Sequence, residues 1–213
     1  MVHLKVKLVA WTSGGLEDPR RLIVLAIKTS AGKIRLKGAE HYIRDYKEED
    51  MERLMVEAYK YPMVLEHVSF TFLIEGISRV TSHQLVRHRL ASYTQESQRY
   101  SSVDKSFVVP PSVVEKGFEE KYRKFLESAF ELYEEMVRAG IPQEDARYII
   151  PQAVETRILM SVNLRELLHI ACLRLSPHAQ WEIRELVSLM LKEAQSIIPE
   201  IPLLLREMCR TEK

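Results

Sequence analysis

Cysteine is nearly absent. Cys172 and Cys209 are the only two in 213 residues, and no C-x-x-C spacing occurs. On sequence this excludes a disulfide framework and a tetrathiolate zinc site. Glycine is scarce as well, at seven residues. Neither G-x-G-x-x-G nor G-x-x-x-x-G-K-[ST] appears, so any nucleotide must be held without a glycine-rich phosphate loop. No stretch approaches the ~18 apolar residues of a membrane span. Met1-Val2-His3-Leu4-Lys5 lacks the apolar run of a signal peptide, so a reducing cytoplasm is expected. Charge of one sign is missing too: 31 Lys+Arg stand against 30 Asp+Glu, for a net +1. A protein that coats nucleic acid normally carries a larger basic excess. Positive charge here is local, which favours a small anion in a pocket over a polyanion on a surface.

What is present is apolar enough, at 46% hydrophobic residues, for a globular chain with a core of its own. The spacing predicts an α+β fold: a helix-dominant single domain over residues 1–213 with a small antiparallel or mixed sheet. Val2, Leu4, Val6 and Leu8 alternate as a half-buried strand, broken at Gly14-Gly15. Asp18-Pro19 opens a helix through Leu22 to Ile27, and Lys47 to Tyr59 reads as an amphipathic helix. Val68 to Ile74 is β-branched and aromatic, a strand that Gly76 should end. A helix from Ile77 to Leu90 follows. Phe118 to Ala139 is a long helix closed by Gly140, a further one starts at Pro142, and the last third is expected to be helical.

Positive charge concentrates in Arg87-His88-Arg89-Leu90-Ala91-Ser92-Tyr93-Thr94-Gln95-Glu96-Ser97-Gln98-Arg99. If the helix reaches Leu90, Gln84, Arg87 and His88 share one face. Ser97 and Arg99 point the same way only on an extended segment. There, hydroxyl and guanidinium together suit a phosphate. Arg87, His88 and Arg89 alone read equally well as solvated ion pairs. A helical nucleic-acid-binding protein using Arg79, Arg87, Arg89 and Arg99 is the alternative that the near-zero net charge disfavours.

A second cluster lies downstream. Leu164, Leu168, Ala171 and Leu175 form an apolar stripe, and Arg165 and His169 form a polar one beside it. Arg174 sits near the helix end. Ser176-Pro177 then reads as the N-cap and first position of the next helix. His169, Cys172 and His178 match no standard zinc spacing, so no metal is expected. Arg147 follows Glu144 and Asp145, with which a surface ion pair is the plain expectation.

Together these clusters resemble the flavin-dependent thymidylate synthases. Their signature is R-H-R, seven residues, then S, here Arg87-His88-Arg89 to Ser97, with Ser92 and Arg99 in place for the longer form. Leu65-Glu66-His67, Arg147, Val162-Asn163-Leu164-Arg165, Arg174 and His178-Ala179-Gln180-Trp181-Glu182 follow the same pattern in order. The resemblance implies a homotetramer with active sites between subunits and FAD bound outside any Rossmann crevice. It implies dUMP as substrate, methylenetetrahydrofolate as carbon donor and NADPH as reductant, with no nucleic-acid or membrane partner. It places dUMP on Gln84, Leu85, Val86, Arg87, Gln95, Glu96, Ser97, Gln98, Arg99, Arg147 and Arg174, with Arg174 polarising the uracil. It places FAD on Arg87, His88, Arg89, Gln95, Asn163, Leu164, Arg165 and His169. The chain departs from the pattern at Tyr61-Pro62-Met63, where members often carry His-x-Ser or His-x-Thr. It also has Gln95 where some carry glutamate, and His169 where asparagine can stand.

Overall fold

The computed structural model describes residues 3–13, 16, 18–99 and 105–211. Val2 and the Gly14-Gly15 break lie outside these residues. In chain order the elements are β1 (Lys5–Trp11), α1 (Arg20–Ser30), α2 (Ile34–Lys37), α3 (Glu48–Glu57), β2 (Ser69–Ser78), α4 (Arg79–Leu85) and β3 (Ala91–Gln95). Then come α5 (Pro111–Glu115), α6 (Glu119–Arg138), α7 (Gln143–Ala146), β4 (Glu155–Asn163), α8 (Leu164–Arg174), α9 (Trp181–Gln195) and α10 (Ile201–Thr211). The fold is helix-rich, with one small antiparallel sheet ordered β1-β2-β4-β3. No helix of the described residues is long and apolar enough to cross a membrane.

The expected α+β balance holds, while several local expectations do not. Gly76 does not end its strand: β2 runs on to Ser78, with Gly76 inside it at φ +75°. The last third is not wholly helical, because β4 occupies Glu155–Asn163. Thr156, Ile158, Met160 and Val162 are its buried positions. A polar threonine inside and an apolar Leu159 outside blur the alternation that marks a strand. The third correction concerns the cysteines. Cys172 and Cys209 form a disulfide, their Cα atoms 5.3 Å apart. A separation of 37 residues gives no motif to read; α8 and α10 bring the two together.

The described chain divides into two compact units. One comprises residues 1–5, 74–87 and 94–159. Its core includes a cluster in which Leu126 and Phe130 of α6 are buried with Val154, and Phe107, Tyr122, Ile150 and Ala153 pack around them. The other comprises residues 6–73, 88–93 and 160–213. There the apolar stripe of α8 is buried, and α8 packs on α9, α10 and the 3-10 turn Pro62–His67. Each fully buried side chain of this kind stabilises the fold by roughly 1.5–3 kcal/mol.

Candidate active site

Local capping explains where the signature starts and why it turns. Ser78 caps α4, its Oγ accepting the Thr81 N–H at 3.2 Å. The helix stops at Leu85, five residues short of the expected Leu90. Arg87, His88 and Arg89 therefore lie in the connection to β3, and a shared helix face with Gln84 does not exist. Chain direction sorts them instead: Arg87 and Arg89 are exposed and His88 between them is buried. Leu85 is buried too, so its side chain serves the core.

In the unit that holds residues 94–159, the segment after β3 is clamped from several sides. Gln95 donates its side-chain amide to Ser82 Oγ at 3.0 Å and to Thr156 Oγ1 at 3.2 Å. Arg79 donates through Nη2 to the Glu96 carbonyl at 2.9 Å. Burial lowers the pKa of that arginine; Glu96 opposes the shift and Arg147 adds to it. Arg157 pairs with the Glu96 carboxylate at 3.2 Å and also faces Glu75 and Glu155. Ser97-Gln98-Arg99 is a turn closed by Arg99 N–H donating to Ser97 Oγ at 3.2 Å, not the extended run expected. Arg99 pairs with the Glu144 carboxylate. Arg147 uses Nε on the Glu144 backbone carbonyl at 3.1 Å rather than on a neighbouring carboxylate.

In the other unit, Asn163 caps α8, its Oδ1 accepting the Glu166 N–H at 2.9 Å. The following helix α9 is capped by Gln180, whose Oε1 accepts the Ile183 N–H at 3.0 Å. The Ser176-Pro177 start is thereby corrected by four residues. At the far end of α8, Arg174 donates Nε–H to Nε2 of His88 at 3.0 Å. Glu166 Oε1 lies 3.8 Å from Nδ1 of the same ring. His169 stands edge-on to it, with centroids 6.5 Å apart. Burial first, then the charge of Arg174, then His169, push the His88 pKa down to about 4. Neutral imidazole is thus the form that meets Arg174 at neutral pH. Tyr93 donates its hydroxyl to the His88 carbonyl at 2.9 Å, and burial, then Glu166, keep that phenol protonated well above its usual range. Arg165 is exposed and bonded to Glu66. Tyr61 and Met63 are exposed as well.

Residues 7–200 match the family described as thymidylate synthase complementing protein, Thy1. The chain belongs to the Thy1 family. A flavin-dependent thymidylate synthase of Pyrococcus furiosus is 49% identical over 154 residues, covering 68% of this chain and 63% of that protein. The chain thus matches less than two thirds of that relative's length. Another of the same name, from Sulfurisphaera tokodaii, is 40% identical over 203 residues, covering 93% of this chain and 76% of the relative. Among solved structures, a UMP/dUMP methylase, PolB, from Streptomyces cacaoi bound with 5-Br dUMP shares the fold. Its TM-score is 0.84 at 22% identity, covering 99% of this chain and 97% of that one.

Arg87 and Arg89 are exposed guanidinium groups, donors of the kind that can bind phosphate oxygens. Sequence reasoning gave no site role to Arg157 and Glu166. Arg157 sits in a strand whose alternation is blurred, and Glu166 follows Arg165 in the first turn of α8. Its burial beside His88 gives no signal in the sequence.

Proposed function

We propose that this chain catalyses the flavin-dependent reductive methylation of dUMP to dTMP. Methylenetetrahydrofolate donates the carbon and leaves as tetrahydrofolate. Bound FAD, refilled by NADPH, supplies the hydride. The uracil C5 proton is lost, and methylene plus hydride become the new methyl group. The same reading takes residues 1–213 as one catalytic domain of a cytoplasmic homotetramer. The names of the relatives support it, as does a fold neighbour described as a dUMP methylase.

One observation carries the reading down to chemistry: the 3.0 Å bond from Arg174 to His88. Arginine stays protonated at any working pH, so Arg174 cannot be a base. Its role is electrostatic, stabilising negative charge as it develops on the pyrimidine ring. Such a cation works best when held in place before the reaction, and neutral His88 does this by accepting its Nε–H. In this assignment Arg99 and Arg147 take the phosphate of dUMP, with the backbone of Gln95 to Gln98 beside them. Gln84, Leu85, Val86 and Arg87 complete its site. Arg87, His88, Arg89, Gln95, Asn163, Leu164, Arg165 and His169 hold the flavin.

Purified protein should be yellow and should bleach when NADPH is added without oxygen. Arg174→Ala should abolish tritium release from 5-tritiated dUMP while the flavin stays bound. Colourless protein that cannot be reconstituted with FAD would remove the flavin from this reading, and normal turnover by the variant would remove Arg174.

A further inference from the structure

The bond between Arg174 and His88 dictates which ring nitrogen carries the proton. Arginine only donates, so Nε2 of His88 must offer a lone pair and the single proton of the neutral ring sits on Nδ1. A free imidazole has no such obligation. Something must hold the less accommodating alternative, Nε2–H against Nε–H, out of reach.

We propose that Glu166 is a positioning residue, whose carboxylate facing Nδ1 of His88 fixes the Nδ1–H tautomer and so aims Arg174. This rests on the catalytic reading of Arg174 given above. Glu166 Oε1 is 3.8 Å from Nδ1, and the two side chains are only 8% and 6% exposed. At that distance the influence is a field acting across a buried gap, where low dielectric strengthens it. Burial limits where the Glu166 carboxylate can turn. It lies in the first turn of α8, its own N–H bound by the Asn163 cap, and the helix N-terminus favours an acid there. Glu166 and Arg174 are eight residues apart on one helix, about 12 Å along its axis. His88 lies between them, 3.0 Å from Arg174 Nε and 3.8 Å from Glu166 Oε1. The Tyr93 hydroxyl on the His88 carbonyl anchors the backbone from β3, and His169 closes the ring's flank from α8. An acid that merely favoured the helix start would gain nothing from burial against a histidine.

Glu166→Gln tests this with little change of shape, since the cap bond uses only the backbone of residue 166. Its amide nitrogen can donate to Nδ1, which would invert the tautomer and turn Nε2–H onto Arg174. Nitrogen-15 shifts of labelled histidine in the intact flavin-loaded protein read the tautomer directly. Wild type should show His88 as Nδ1–H, and Glu166→Gln should shift it toward Nε2–H. Tritium release should then fall on the order of tenfold in kcat, roughly the net worth of one hydrogen bond, with flavin occupancy and the KM for dUMP near wild type. An Nε2–H tautomer in wild type overturns the proposal, even if the variant fails to fold. So does a variant that keeps both the Nδ1–H tautomer and wild-type kcat. Failure of the underlying reading looks different: Arg174→Ala would turn over normally while the wild-type tautomer remained as stated.

Discussion

The Glu144 carboxylate holds Arg99 through Nε at 2.5 Å, on a surface where the two side chains are 45% and 54% exposed. Arg147 reaches the backbone carbonyl of the same glutamate. A phosphate that engages Arg99 must therefore displace a carboxylate. An exposed pair is worth about 0–1 kcal/mol, so Glu144→Gln should lower the apparent KM for dUMP by up to about fivefold and leave kcat unchanged. Arg99→Ala should raise that constant by roughly one to two decades, the loss of a charge-assisted bond. Steady-state kinetics at fixed ionic strength measure both. An unchanged KM in Glu144→Gln would mean that phosphate and carboxylate do not compete for Arg99.

His88 ties stability to pH. Its folded pKa is about 4, lowered by burial, then by Arg174 and His169, against 6.5 for the free side chain. Between those values the unfolded chain binds a proton that the folded chain refuses. Stability is therefore fully present above about pH 6.5 and is lost progressively as pH falls toward 4, by roughly 3 kcal/mol over the window. Urea midpoints from pH 4 to 7 should show that slope, and His88→Asn should flatten it. Parallel profiles would assign the acid sensitivity to other groups.

The elements readable from sequence are those whose side-chain pattern and burial agree. In α8, Leu164, Leu168 and Ala171 are all buried, and the stripe stands out. In β3 no residue is fully buried, so Ala91 to Gln95 carries no periodic signal, and the sequence pattern runs the preceding helix on to Leu90. Conformation there is decided by contacts from far along the chain, such as the Glu96 N–H on the Arg157 carbonyl. The candidate site divides the same way. The family resemblance singles out Arg174 and His88, but the bond between them joins positions 86 apart. Only the folded backbone says that one orients the other.

Gly76 offers a clean test of a close approach. At φ +75° a side chain is strained, and a Cβ would sit 2.4 Å from the His3 carbonyl oxygen. Gly117 has nearly the same φ, +72°, with nothing within 4 Å of its Cβ position. Gly117→Ala should cost only the left-handed term, ~1–2 kcal/mol. Gly76→Ala should cost clearly more, since backbone must move as well. Denaturation midpoints of the two variants isolate the His3 contact. Equal losses would show that the segment at His3 yields freely.

The disulfide between Cys172 and Cys209 has a predictable thermodynamic consequence. It closes a loop of 37 residues in sequence separation, enclosing α9 and most of α10. Restricting that loop in the unfolded chain contributes up to ~4 kcal/mol in the chain-entropy account. For a chain of this size, each kcal/mol moves Tm by about 2–4 °C. Reduction by excess dithiol, or Cys209→Ser, should therefore lower Tm by roughly 10 °C in calorimetry. Cys172 lies two positions before Arg174 on α8, and Arg174 donates Nε–H to His88. Below the lowered Tm, kcat should accordingly stay near wild type. A fall in kcat at full flavin occupancy would show that α10 also helps to place the Arg174 guanidinium. An unchanged Tm would show that the bond does not form in solution or that the unfolded chain gains nothing from its loss.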